Sequence, residues 1–233
     1  MDAGLSLKEL GRRLAAIGED IETIDAVLVS HEHTDHVSGV PVLARSKKVN
    51  AVIYASHLTA PRIDWGENTV PRLERFQAGS QFQVGDIAVT TFSVPHDAVD
   101  PVGFCFCAEG VRIGIATDLG YVPESIKYHL RRTDVLLLEA NHDLDMLKVG
   151  PYPWSVKQRV MSRVGHLSNL GVSDYLMQDL DACTSHLILG HLSEHNNHPE
   201  IVRMVAMQAL EQRRLRTQLA IAQQCVPSAV LQF

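Results

Sequence analysis

His31-Glu32-His33-Thr34-Asp35-His36 places three imidazoles and a carboxylate within six residues, directly after the apolar run Ala26-Val27-Leu28-Val29. Alternate residues of an extended segment point the same way, so His31 and His33 can grip one ion together. Asp35 and His36 then face a second position. Imidazole nitrogen and carboxylate oxygen suit zinc, manganese or ferrous iron. The stretch H-x-H-x-D-H therefore reads as a metal site at the mouth of a strand.

A metal site at one strand end calls for further ligands at others. His96 follows the strand-like run 87–94 and is trailed by Asp97. Asp118 follows 111–117, with Gly120 allowing a turn just after it. His191 follows Leu187-Ile188-Leu189-Gly190 and opens a polar segment that ends at His198. Each sits where a strand is expected to end, the place where open sheets carry their chemistry.

Together these residues resemble the metallo-β-lactamase superfamily. The resemblance implies an α/β (α+β) fold, a four-layer αββα sandwich. It also implies two divalent ions, zinc in the first place, with manganese and iron as alternatives. His31, His33 and His96 would hold one ion, Asp35, His36 and His191 the other, and Asp118 would bridge them. A bridging carboxylate in Thr117-Asp118-Leu119-Gly120 is absent from the true β-lactamases of this superfamily and points to phosphodiesterases, lactonases and thioester hydrolases.

Further stretches resemble the YycJ-like (WalJ) branch, regarded as exonuclease-like and acting on DNA: Pro95-His96-Asp97-Ala98-Val99-Asp100-Pro101-Val102-Gly103-Phe104, Leu138-Glu139-Ala140-Asn141-His142-Asp143, Gly165-His166-Leu167-Ser168-Asn169, and His191-Leu192-Ser193 with Asn196-Asn197. Members of the superfamily normally begin with two or three strands before the Asp-x-Gly that here is Asp2-Ala3-Gly4. An N-terminally shortened fold is therefore expected, or a homodimer that covers the exposed sheet edge.

The ligand set implies a mechanism. Two adjacent divalent ions hold a bridging hydroxide and clamp the oxygen on which charge develops. Asp35 is expected to orient that hydroxide and accept its proton. His166 matches a non-ligand histidine of the related endonucleases that contacts the scissile phosphate or protonates the leaving oxygen. Glu139 is expected to fix a ligand imidazole from behind, and His198 to cap a helix before Pro199 or to sit at the substrate's edge. The favoured function is a phosphodiesterase or nuclease. The alternatives are a small-molecule hydrolase of lactones, thioesters or β-lactams, and a catalytically weak binding protein.

Composition agrees with a globular enzyme. The 233 residues are 45% hydrophobic and 21% charged, enough for one large core in a single domain, 1–233. No apolar run reaches the roughly 18 residues of a membrane span, and no secretory signal is visible, so a cytoplasmic protein is expected. The four cysteines, Cys105, Cys107, Cys183 and Cys225, read as reduced and buried. A net charge of −6 weighs against nucleic-acid binding, although bound metal ions invert the local sign.

Helices are expected over 6–17, with Ser6 and Glu9 as a capping box, and over 123–131, 154–163, 172–180 and 199–214. Strands are expected at 26–30, 51–54, 81–84, 86–94, 103–108, 111–117, 134–139, 185–190, 218–223 and 229–232.

Overall fold

The computed structural model describes residues 1–67 and 71–232. The chain divides into two units. The first takes the described residues of Met1–Ser80, Ala98–Val102 and Val226–Phe233, and the second takes Gln81–Asp97 and Gly103–Cys225.

The first unit opens with α1 (Leu7–Ala16), whose Leu7 and Leu10 pack on the unit's core. Ser6 caps it, its Oγ accepting from the Glu9 amide at 3.3 Å. Only this half of the capping box forms. The Glu9 carboxylate accepts instead from Arg12 and Arg13 at 2.6–2.8 Å, which holds its pKa down to about 2. Next come β1 (Ala26–Leu28), the short helices α2 (Thr34–Val37) and α3 (Val40–Arg45), β2 (Val52–Ser56) and β3 (Leu73–Phe76). The three strands pair in parallel, Ala26 opposite Val52 and Ile53 opposite Leu73. Val27, Val29, Val40, Leu43 and Ile53 fill the space between sheet and helices.

Within this unit Asp2-Ala3-Gly4 lies against the histidine-rich turn. The Ala3 amide donates to the His36 carbonyl, and a Cβ on Gly4 would stand 1.5 Å from the Asp35 carbonyl oxygen. Only glycine fits so close an approach.

The second unit is built on a seven-stranded sheet among the described residues: β4 (Gln81–Val84), β5 (Ile87–Ser93), β6 (Val102–Ala108), β7 (Val111–Ala116), β8 (Val135–Glu139), β9 (His186–Gly190) and β10 (Gln218–Ile221). In space they run β10-β9-β8-β7-β6-β5-β4. The β4/β5 and β6/β7 pairs are antiparallel, and the run from β7 to β10 is parallel. The helices are α4 (Glu124–Leu130), α5 (Leu144–Val149), α6 (Trp154–Val160), α7 (Asn169–Gln178) and α8 (Pro199–Gln212). Val202, Ala206, Ala209 and Leu210 of α8 meet Val172, Tyr175 and Leu176 of α7 in the core, the face that the apolar period over 199–214 anticipates.

Several expectations need correction. Residues 229–232 form no strand; Val230 is exposed. The helix expected at 172 starts at Asn169, because Ser168 caps it by accepting from the Gly171 amide at 3.1 Å. Strand β3 and helices α2, α3 and α5 lie where no regular element was expected. Of the cysteines only Cys105 is buried, while Cys107, Cys183 and Cys225 are exposed, and all four are free thiols.

Candidate metal centre

The first unit carries His31, His33, Asp35 and His36. Val29 and Ser30 continue beyond β1 as buried backbone, and the chain stays extended through His33 (φ −63°, ψ 147°) before turning into α2. The first two histidines are thus two extended residues apart, while Asp35 and His36 sit on a helical turn. The His31 ring lies 4.6 Å from that of His33 and 4.2 Å from that of His36, centroid to centroid. Nε2 of His36 is 3.5 Å from the Asp35 carboxylate, which is itself largely exposed. His31 and His36 are buried.

Two residues outside the motif hold it in place. Ser30 Oγ lies 3.0 Å from His31 Nδ1, and Asp2 Oδ2 lies 2.9 Å from both Ser30 Oγ and His36 Nδ1. The Ser30 amide donates to the other Asp2 oxygen at 2.7 Å. With Nδ1 engaged, each ring directs Nε2 away from this network, the arrangement that supporting carboxylates and hydroxyls give metal-binding imidazoles.

The second unit carries His96, Asp118, His166 and His191. Asp118 follows β7 and His191 follows β9, and both have left-handed backbone, φ 57° and 58°. Such conformations cost on the order of 1–3 kcal/mol each in a non-glycine residue. The fully buried Leu119, Leu138 and Leu189 beside them contribute roughly 2 kcal/mol apiece and offset that cost. Asp118 is buried, its Oδ1 3.5 Å from His191 Nε2 and 3.8 Å from His96 Nε2. His96 is fixed from behind by the Gly165 carbonyl, 3.1 Å from Nδ1. Burial pulls the His96 pKa below its ordinary value against the pull of Asp118.

Glu139, at the end of β8, organises this half. It is fully buried and accepts from His166 Nδ1 at 2.7 Å, His191 Nδ1 at 2.8 Å, and the Leu119 and Leu167 amides at 3.0 Å each. Burial alone would raise its pKa, but the two imidazole hydrogen bonds overcome this and hold the carboxyl well below its ordinary range. The same bonds act in reverse on His166, whose pKa is raised although burial lowers it. Ligand atoms of Asp118, Glu139, His166 and His191 lie within 4.8 Å of one another.

Nitrogen and carboxylate donors so closely grouped fit a divalent cation of the zinc, manganese or iron type. Asp2, Ser30 and the Gly165 carbonyl were not read from the sequence as supports. Asp2 was signalled only by the Asp-x-Gly pattern, and a backbone carbonyl carries no residue-type signal. His198 caps α8 as expected, its Nδ1 accepting from the Glu200 amide at 3.2 Å. No helix among the described residues is long and apolar enough to cross a membrane.

The family model described as "Beta-lactamase superfamily domain" matches residues 1–192. Exodeoxyribonuclease WalJ of Streptococcus pneumoniae serotype 2 is 37% identical over 219 residues, covering 92% of this chain and 81% of the relative. Exodeoxyribonuclease YycJ of Bacillus anthracis is 35% identical over 219 residues, covering 91% and 81%. Among solved structures, the metallo-beta-lactamase fold protein YhfI from Bacillus subtilis superposes with a TM-score of 0.72 at 21% identity, covering 95% of this chain and 82% of that one.

Proposed function

The chain belongs to the beta-lactamase superfamily, and on that footing we propose that it is a binuclear metal-dependent phosphodiesterase that hydrolyses DNA from its ends. Two relatives matched over most of the chain are named exodeoxyribonucleases. The observation that carries the reading is Asp118: a buried carboxylate whose one oxygen lies within 3.8 Å of two imidazoles, His96 and His191, assigned to different ions.

In this reading His31, His33 and His96 hold one ion, and Asp35, His36 and His191 hold the other. Asp118 sets their spacing. Zinc is the expected occupant, with manganese and iron as alternatives that the same imidazole and carboxylate ligands suit. When bound, such a pair would supply an activated water at neutral pH and would neutralise the charge developing on the phosphate.

The protein's own groups do the rest. Asp35, exposed beside His36, accepts the proton of the attacking water. The buried Glu139 charge accepts Nδ1–H of His166 and favours its imidazolium form, whose Nε2 proton is delivered to the leaving oxygen, leaving the neutral imidazole. Glu139 also orients His191, coupling a ligand and the proton donor through one carboxylate.

The test is a panel: bis-p-nitrophenyl phosphate, single- and double-stranded DNA, a homoserine lactone and nitrocefin, each with the metal-loaded protein. Release of mononucleotides from linear DNA is expected. Turnover of only the lactone and nitrocefin would overturn the reading.

A further inference from the structure

The second unit contains a cavity of about 550 Å³ that begins at His191 and is walled by Ser193, Glu194, His198 and the segment Ala222–Cys225 just after β10. This volume lies within the roughly 300–1,000 Å³ typical of small-ligand sites. None of its lining residues, among those described, is a lysine or arginine. It is therefore poorly suited to bind phosphate by itself: the carboxylates Glu194 and Glu200 line it, beside the amides of Gln223 and Gln224 and the Ser193 hydroxyl.

We propose that this cavity is the subsite for the terminal nucleoside of a DNA strand, base and sugar, whose phosphate is held at His191. The inference rests on the nuclease reading above and adds where the strand end goes. Side-chain amides present a donor and an acceptor side by side, the pattern on the edges of nucleobases. Having several neutral donors and acceptors rather than one fixed pair suits a site that takes each base in turn. The Glu194 and Glu200 carboxylates on the wall repel a further phosphate, so the strand cannot continue through the cavity. A site that accepts one uncharged nucleoside and refuses the next phosphate acts on ends.

The experiment compares the metal-loaded parent with Gln223→Ala/Gln224→Ala, Gln223→Trp and Glu194→Gln. All three positions are on the surface, where substitution is well tolerated. Binding of deoxynucleoside monophosphates is followed by saturation-transfer NMR, and hydrolysis is measured on linear DNA and on bis-p-nitrophenyl phosphate. The double alanine variant is expected to raise KM for DNA about tenfold with kcat little changed, and Gln223→Trp to abolish nucleotide binding and DNA degradation. Both should retain the parent's metal content by elemental analysis, which separates loss of the subsite from loss of the metal centre. A strand whose terminal nucleotide carries an extra phosphate should be a poor substrate for the parent and a better one for Glu194→Gln. Parent-like DNA kinetics and nucleotide binding in Gln223→Trp would overturn the assignment of the cavity. Failure of the parent itself to degrade DNA would instead sink the nuclease reading, and this subsite with it.

Discussion

One oxygen of Glu139 accepts hydrogen bonds from Nδ1 of both His166 and His191, at 2.7 and 2.8 Å, while its other oxygen accepts from the Leu119 and Leu167 amides. A proposed metal ligand and a proposed proton donor are thus held by a single buried charge, and the loops carrying Asp118 and His166 are tied to it by their backbones. Glu139→Gln keeps the shape but removes that charge. It is expected to weaken metal binding by 10–100-fold in chelator competition, the usual effect of losing a carboxylate behind a ligand imidazole. Unaltered metal affinity would mean that Glu139 supports only the fold.

His166 and Asp118 should separate cleanly. Asp118→Ala is expected to lose at least one ion by elemental analysis and nearly all activity. His166→Ala should retain both ions and lose about 10²–10⁴ in rate, the range for a general acid. Metal loss in His166→Ala would make it a ligand instead, an outcome that its closeness to Asp118, 3.8 Å, makes worth measuring.

Gly120 offers a test of loop packing independent of chemistry. A Cβ there would lie 2.4 Å from the backbone carbon of Arg163, three residues before His166. Backbone cannot give way as a flexible side chain can, so Gly120→Ala should cost about 1–3 kcal/mol in chemical denaturation. It should also lower kcat by displacing the His166 loop. An unchanged denaturation midpoint would show that the two loops adjust freely.

His142 is buried, and neither ring nitrogen meets a hydrogen-bond partner among the described residues. Burial pushes its pKa from 6.5 down to about 4. The unfolded chain therefore takes up a proton near pH 6.5 that the folded chain refuses until about pH 4. Stability falls as pH drops through that window and levels off below it. At pH 5 the loss amounts to about 2 kcal/mol. His142→Leu should remove this part of the acid sensitivity, measured by urea denaturation at pH 8 and pH 5 with chelator present. Equal losses in both proteins would contradict the assignment.

The proposed ligands were legible because ligand chemistry is written as residue type: His31, His33, His96, Asp118 and His191 follow apolar runs that do form strands or their extensions. What supports them was less legible. Gly165 fixes His96 through a carbonyl that every residue possesses, and Ser30 carries no signal until Asp2 is seen beside it. Strand β3 is only four residues long, with Glu74 and Arg75 at its centre, so it lacks an apolar stripe. The segment 229–232 has apolar residues but pairs with no strand among the described residues, and Val230 is exposed. Propensity proposes strands, and a partner edge decides them.

The left-handed backbone at Asp118 and His191 carries a lesson for engineering. Glycine would hold either turn without strain, and asparagine with less than most residues, so the sequence that folds best is not the one that carries the proposed ligands. A selection for heat resistance that ignores turnover should drift first at these two positions, yielding a hardier protein emptied of its chemistry. Any stabilisation campaign on this scaffold therefore needs both positions locked from the start.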